Sequence, residues 1–392
     1  MTATPFRLLC AAGFLAILST TMAKNPALPL FAASLGAGPE GVGLVSALSP
    51  LAGVLAGIPG GLCADAFGRR RMLLGSSVVF ATAPLAYLLV DSVAGLALAR
   101  FYHGLATGVF MPVAQAAVAD ACAVTRGERL GAFSSATLAG RFLAPTLGGL
   151  ALGGGFAAVY GLCALAGIGA MLLTFRLPPL EERSAAACRP RALDGLRELL
   201  ASPGIRAGCL LEAGILFAYG AFEAFLPLLC LERGLPAWMT GLVFSAQILA
   251  VALTKPFFGR LSDRLSRDGA GRPAQMLAGA ALTALSCAAL PLAPGLWGLS
   301  ALSVALGLSL SVATSASTAY VADLARREHR GAAMGVLGSV MDVGHSAGPL
   351  AAGAAAALAG SAGAFAAGAA VLAAATLAAW RIRRRALPGG SP

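Results

Sequence analysis

The chain has 392 residues, of which 58% are hydrophobic and 11% are charged, and its formal net charge at pH 7 is +11. Soluble domains carry about 25% charged residues, so this chain has too few charges to cover a water-facing surface. The composition therefore excludes a soluble globular protein and indicates an integral membrane protein. The positive charge is not gathered in a basic domain, so the sequence predicts no nucleic-acid partner.

Long apolar runs follow one another along the whole chain, and about 20 apolar residues are enough to cross a bilayer as a helix. The runs are rich in Leu, Ala, Val and Gly, and they lack the alternation typical of transmembrane β-strands. They predict an all-α integral membrane fold with twelve transmembrane helices. In chain order the predicted spans are 8–33, 42–59, 72–90, 94–118, 131–152, 156–175, 207–231, 238–258, 275–293, 296–320, 332–353 and 362–380.

Basic residues are distributed unevenly between the two sides of these spans. Of the lysines and arginines outside the spans, only Arg233 lies in an odd-numbered connection. Because positively charged loops stay in the cytoplasm, both termini are predicted to be cytoplasmic. The first apolar run continues past Lys24 and further spans follow it, so no cleaved signal peptide is predicted. The excess of arginine over lysine, with abundant alanine and glycine, favours a GC-rich genome and a bacterial inner membrane.

The two halves of the chain share short sequences in the same order. The matching pairs are 28–38 with 226–236, Gly61…Asp65 with Gly259…Asp263, and 118–120 with 321–323. The repeat predicts two parallel six-helix bundles, an arrangement typical of transporters. The predicted domains are an N-terminal bundle (1–175), a cytoplasmic linker (176–206) and a C-terminal bundle with a short basic tail (207–392).

Three motifs resemble signatures of the major facilitator superfamily, and the resemblance covers nearly the whole chain. Between spans 2 and 3 the chain reads GGLCADAFGRRR (60–71), and in span 4 it reads RFYHG (100–104). In span 5 it reads APTLGG (144–149), which is similar to a glycine-proline signature of antiporters, with Ala144 in place of a glycine. The chain thus resembles the drug/metabolite:proton antiporter branch, which implies a monomer embedded in the lipid bilayer.

The first motif implies, by this resemblance, a latch at the cytoplasmic side. Gly61 lets span 2 approach a neighbour closely, and Asp65 faces the positive end of span 11. The alternative is a positively charged loop with an incidental acid. The predicted latch residues are Gly61, Asp65, Gly68, Arg69, Arg70, Asp120, Gly259, Asp263 and Arg264. The predicted helix-packing residues are Pro145, Gly148, Gly149, Gly348 and Pro349.

Ionisable side chains inside spans are costly and therefore indicate function. Glu212 and Lys255 lie near predicted cytoplasmic span ends and are interpreted as snorkelling to the surface. Arg100 has the alternative role of a structural anchor, and His103 that of a packing residue. The candidate proton-coupling and cavity residues are Glu223, Asp342, His345, Lys24, Asn25, Arg100, His103 and Arg141.

A mechanism follows from which of these groups can exchange a proton. Arginine stays protonated in proteins, so Glu223 and Asp342 are the candidate proton carriers, with His345 third. No phosphate-binding loop of the GxxxxGK[ST] type is present, so the proton gradient is the predicted energy source. No nucleophile–base or metal constellation is visible, and the eight cysteines form no CxxC pair. The sequence therefore predicts no catalytic site, cofactor or metal site.

The sequence thus predicts a secondary transporter that moves a small amphipathic organic solute by proton-coupled efflux. Apolar cavity walls with few charges favour this solute class. One alternative is import or export of a specific metabolite, siderophore or metal chelate. From a different class of protein, the alternative is a membrane receptor or scaffold that does not transport.

Overall fold

The structure is a computed structural model that describes residues 3–121, 126–178, 197, 201–267, 271–326 and 330–385. Within these ranges the regular elements are helices, as the continuous apolar runs predict. The first seven are α1 (Ala3–Lys24), α2 (Ala27–Ser34), α3 (Pro39–Phe67), α4 (Arg69–Tyr87), α5 (Val93–Ala121), α6 (Arg126–Ala151) and α7 (Phe156–Phe175). Then come α8 (Pro203–Glu232), α9 (Ala237–Arg267), α10 (Gly271–Ala289), α11 (Gly295–Leu324) and α12 (Arg330–Arg385). Short 3₁₀ turns at Leu152–Gly154 and Leu290–Leu292 follow α6 and α10.

Among the described residues, nine helical segments are long and apolar enough to cross a membrane. The multi-pass membrane character predicted from composition is therefore confirmed. All of the predicted spans fall on described helices, whereas α4 and α6 are outside the nine. The count of twelve membrane spans and the cytoplasmic position of both termini stay predictions.

Two interruptions in the helices have local causes. The first predicted span divides into α1 and α2 at Asn25 and Pro26, because proline has no N–H to continue the helical ladder. Predicted spans 11 and 12 form one long element, α12, with a kink at Ala359 and Gly360. Gly360 has φ +63°, a left-handed value that glycine adopts without steric cost.

Contacts divide the chain into two compact units. Unit 1 is Met1–Ala187 together with Leu226–Ser245, and unit 2 is Cys188–Phe225 together with Ala246–Pro392. In unit 1, α3 packs on α5, α4 on α7, and α1 on both α6 and α7. In unit 2, α10 packs on α11 and on α12. Most of the predicted linker (179–196 and 198–200), and the end of the predicted tail from residue 386, lie outside the described residues.

The outer surface carries large apolar side chains, as expected for a protein surrounded by lipid. Leu358 is 91% exposed, Leu89 is 86% exposed and Trp297 is 83% exposed. In water such side chains would oppose folding, whereas a bilayer offers them an apolar solvent. The described cysteines are free thiols, and four of the six are buried. Burial of these four thiols is typical of cysteines that pack in a core.

Candidate functional site

A buried acid–base pair joins α8 to α12 in unit 2. Glu223 Oε2 lies 2.6 Å from His345 Nε2, and the exposed fractions of the two side chains are 9% and 20%. Tyr219, one helical turn before Glu223, donates its hydroxyl to Glu223 Oε1 at 3.3 Å. The short distance is typical of a charge-assisted hydrogen bond. The structure thus brings together two of the predicted proton-coupling residues.

Glycines on the facing helices allow this close approach. A Cβ added to Gly344 would overlap the carbonyl of Ala213, and one added to Gly348 would overlap that of Phe217. From the other side, a Cβ at Gly220 would lie 2.6 Å from the carbonyl oxygen of His345. Small residues four apart let membrane helices pack backbone to backbone. The packing places His345 directly against α8 and within reach of Glu223.

Gly348→Ala is therefore expected to destabilise the protein by about 1–3 kcal/mol, because the added methyl group overpacks the α8–α12 contact. The matched control is Gly335→Ala on the same helix, where an added Cβ meets no described atom within 4 Å. Thermal unfolding in detergent measures both variants. Equal stability of the two would show that the α8–α12 contact does not depend on Gly348.

Asp342 lies one turn before His345 on α12 and is exposed. Its carboxylate interacts electrostatically with His345, while its backbone carbonyl accepts a hydrogen bond from Ser346 Oγ at 2.8 Å. The imidazole Nε2, however, is directed to Glu223. Asp342 is thus a second acid beside the pair.

Glu212 lies elsewhere than the sequence predicts. Its side chain has 0% exposed surface, and Ser317 on α11 donates a hydrogen bond to its Oε2 at 2.5 Å. The prediction that Glu212 snorkels to the surface is therefore wrong, because α11 supplies a polar partner inside the bundle. Lys255, by contrast, is exposed.

The predicted cavity residues of unit 1 occupy different surroundings. Arg100 is 2% exposed and His103 is 0% exposed. The Tyr87 hydroxyl lies 3.3 Å from His103 Nδ1, and the Tyr87 ring stacks on the ring of Tyr160 at 4.6 Å. Two guanidinium nitrogens of Arg100, Nε and Nη1, are buried without a hydrogen-bond partner in the described part of the chain. Arg100 and His103 thus lie inside the helix packing of unit 1.

The other three candidates of unit 1 lie at the end of α1, directly after it, and on α6. Lys24 ends α1, and Asn25 follows it and is 2% exposed. Arg141, on α6, is exposed. Lys24 and Asn25 therefore lie at the break between α1 and α2, apart in sequence from the Arg100 and His103 cluster.

Two arginines in the first turn of α4 bind backbone carbonyls of neighbouring helices within unit 1. Arg69 Nη1 donates to the carbonyl of Ala116 at 2.7 Å. Arg70 donates to the carbonyl of Leu177 at 2.7 Å and to that of Phe175 at 3.1 Å. The two carbonyls that Arg70 contacts lie at or just beyond the C-terminal end of α7, where carbonyls lack partners within the helix and carry partial negative charge, so Arg70 stabilises this end. The two arginines thereby tie α4 to α5 and α7.

The remaining predicted latch residues of this region are described only in part. The side chains of Asp65 and Asp120 lie outside the described part of the chain. Gly68 has φ +92° and is the residue between α3 and α4, which explains why a glycine stands there. A Cβ at Gly61 would meet no described atom within 4 Å. The close approach predicted for Gly61 stays a prediction.

In unit 2 the corresponding position forms an ion-pair network. Arg272 at the start of α10 lies 3.3 Å from Asp263 and 3.1 Å from Asp323. Asp263 is one of the predicted latch residues, whereas Arg272 and Asp323 are not among them. The sequence signal for Asp323 is the repeated VAD, in which it stands at the position equivalent to Asp120. Arg264 is exposed, and a Cβ at Gly259 would meet no described atom within 4 Å.

The glycine-proline motif of α6 is a close-packing surface in unit 1. A Cβ at Gly149 would lie 2.5 Å from the carbonyl oxygen of Ala237, and one at Gly148 would lie 3.1 Å from the side chain of Met22. A Cβ at Gly241 on α9 would overlap the carbonyl of Pro145. The packing role predicted for this motif thus has a definite partner, the first turns of α9.

The helical bundles, the glycine contacts and the buried ionisable pair are features typical of membrane transporters. The sequence profile of the Major Facilitator Superfamily matches residues 9–268 and 234–392. The chain belongs to this superfamily, as the three motifs predict, and it is therefore a transporter and not an enzyme.

Two curated relatives are similar in sequence. An uncharacterized MFS-type transporter of Methanocaldococcus jannaschii is 24% identical over 275 residues, which are 67% of each chain. The 3-(3-hydroxy-phenyl)propionate transporter of Escherichia coli K12 is 28% identical over 224 residues, which are 55% of each chain. The aligned part thus spans about half the length of the second relative.

Solved structures show the same fold at low sequence identity. A mutant of the nucleoside transporter NupG matches with a TM-score of 0.81 and 13% identity, covering 96% of this chain and 99% of its own. The human organic anion transporter MFSD10 (TETRAN) matches with a TM-score of 0.61 and 20% identity, covering 97% of this chain and 100% of its own. These likenesses support the fold alone.

Proposed function

We propose that this transporter couples the movement of a small organic solute to the movement of protons, and that Glu223 and His345 bind the coupling proton. The observation that carries the proposal is the 2.6 Å contact between the two side chains inside unit 2. Both groups can gain or lose a proton, whereas the buried Arg100 stays charged. Proton coupling requires a group that can gain and lose a proton.

The pair changes its net charge by one unit for each proton it binds. As a carboxylate and an imidazolium it is neutral overall and the hydrogen bond is charge-assisted. Loss of one proton leaves a carboxylate beside a neutral imidazole, with net negative charge in a largely buried place. An uncompensated buried charge is costly, so the chain then favours a conformation that hydrates the pair or brings a positive group to it. Within unit 2, Asp342 is a second acid beside the pair.

The solute is proposed to be amphipathic and to leave the cell in exchange for protons. Support comes from the resemblance of the motif at 144–149 to antiporters and from the low share of charged residues, 11%. The motif departs from the antiporter pattern at Ala144.

A second candidate is the transport of an aromatic carboxylate. The specific observation in its favour is the similarity to the 3-(3-hydroxy-phenyl)propionate transporter. Arg141 is an exposed and fixed positive charge of unit 1 that would suit a carboxylate.

Transport by the purified protein in proteoliposomes tests both candidates. The vesicles contain a pH-sensitive dye and receive radiolabelled 3-(3-hydroxyphenyl)propionate, ethidium or uridine, with an imposed pH gradient. We expect one solute class to accumulate against its gradient, with a change in internal pH that a protonophore abolishes. Solute and proton moving in opposite directions identify exchange, and movement in the same direction identifies uptake with protons. Proton coupling would be contradicted if the solute only equilibrates across the membrane and the imposed pH gradient has no effect on it. The absence of any flux would favour a receptor or scaffold.

A further inference from the structure

A second buried carboxyl group lies in unit 2, apart from the Glu223–His345 pair. Glu212 is about three helical turns before Glu223 on α8, and its side chain has 0% exposed surface. Among the described residues its hydrogen bonding is limited to Ser317 Oγ, which lies 2.5 Å from Oε2. The other oxygen, Oε1, is buried without a hydrogen-bond partner in the same described residues.

The hydrogen bonds around Glu212 fit a protonated carboxyl group better than an ionised one. A carboxylate accepts several hydrogen bonds and donates none, so an ionised Glu212 would have a single donor for its buried charge. A protonated Glu212 can donate its O–H to Ser317 Oγ. Ser317 can then donate its own hydroxyl to the carbonyl of Thr314, which lies at 3.3 Å. The protonated form therefore completes a chain of two hydrogen bonds.

The surroundings also provide a charge for the ionised form. The titratable groups that interact electrostatically with Glu212 are Lys255 on α9 and Cys209 on α8. Lys255 is exposed, whereas the hydrogen bond of Glu212 in this structure is with Ser317. A carboxylate that moved away from Ser317 toward Lys255 would gain an opposite charge.

We propose that Glu212 is a second proton-binding residue of this transporter. It holds a proton while α8 and α11 pack as in this structure, with Ser317 as the partner of the protonated form. It releases the proton when that contact opens and Lys255 becomes the partner of the carboxylate. The transporter then moves more than one proton per solute. This consequence rests on the proposed proton coupling. The protonation of Glu212 does not depend on that coupling.

Infrared spectroscopy of the purified full chain at neutral pH tests the protonation directly. We expect the wild type to show a carbonyl band of a protonated carboxylic acid that is lost in Glu212→Gln and kept in Glu40→Gln, which changes an exposed acid. Glutamine has nearly the same shape and its amide can donate to Ser317, so the variant is expected to fold. Ser317→Ala keeps the acid but removes its partner, so the same band is expected to shift. A band that is unchanged in both Glu212→Gln and Ser317→Ala would overturn the proposal.

Proteoliposomes test the role in transport. Glu212→Gln is expected to lower the number of protons moved per solute while proton-driven accumulation through Glu223 persists. An unchanged proton-to-solute ratio would overturn the role of Glu212 in coupling. If the wild type moves no protons with any solute, the proposed function fails, and the infrared band alone decides whether Glu212 holds a proton.

Discussion

Glu223→Gln is expected to abolish proton-driven accumulation of solute while leaving downhill exchange in place. Glutamine resembles the protonated acid and cannot ionise, so the pair with His345 can no longer change its charge. A proton moving across 100 mV supplies about 2.3 kcal/mol, enough for about a fiftyfold solute gradient. We expect that gradient to disappear in the variant. Accumulation and counterflow of the same radiolabelled solute in proteoliposomes measure the two activities separately.

The control for this experiment is Glu232→Gln, which makes the same change at an exposed residue at the end of the same helix. It should accumulate solute as the wild type does. Accumulation by Glu223→Gln equal to that of the control would remove Glu223 from the mechanism. Asp342→Asn would then decide whether the acid on α12 carries the proton instead.

The sequence identified ionisable side chains of the candidate site but not how they pair. An ionisable side chain inside a membrane span costs free energy and is therefore rare there. Glu223 and His345 could be identified on this ground alone. Spacing along a helix suggested Asp342 as the neighbour of His345. The hydrogen bond instead crosses to α8, because Gly344 and Gly348 let the two helices touch. Such contacts depend on which helices pack together, and a single sequence does not contain that information.

Glu212 is a second residue whose partner could not be predicted from the sequence. Its position near a predicted span end suggested a side chain that reaches the surface. The helix extends further than the apolar run, since α8 begins at Pro203. Inside the bundle, Ser317 on α11 donates a hydrogen bond to Glu212. Element type was predictable because long apolar runs leave few alternatives. Burial of one polar side chain depends on its partner, which lies 105 residues away.

The segment 226–245 illustrates a further difference between sequence and structure. The internal repeat assigns it to the second half of the chain, with the rest of predicted spans 7 and 8. In this structure it belongs by its contacts to unit 1. Ser245 donates to the carbonyl of Phe142 at 2.7 Å and lies 2.8 Å from the hydroxyl of Thr146. If the transporter alternates between two conformations, the cycle has to release this segment from α6 and rebind it.

A reversible cross-link between α6 and α9 is therefore expected to stop transport. The Oγ atoms of Thr146 and Ser245 are 2.8 Å apart, so sulfur atoms in their place come within disulfide range. We expect Thr146→Cys/Ser245→Cys to lose transport on oxidation, to the level of empty vesicles, and to regain it with a reductant. Solute flux in proteoliposomes measures the activity, and a gel shift after thiol labelling measures the cross-link. Each single cysteine variant controls for the native thiols and should be insensitive to the oxidant. A fully cross-linked protein that still transports would show that α6 and the start of α9 stay together throughout the cycle.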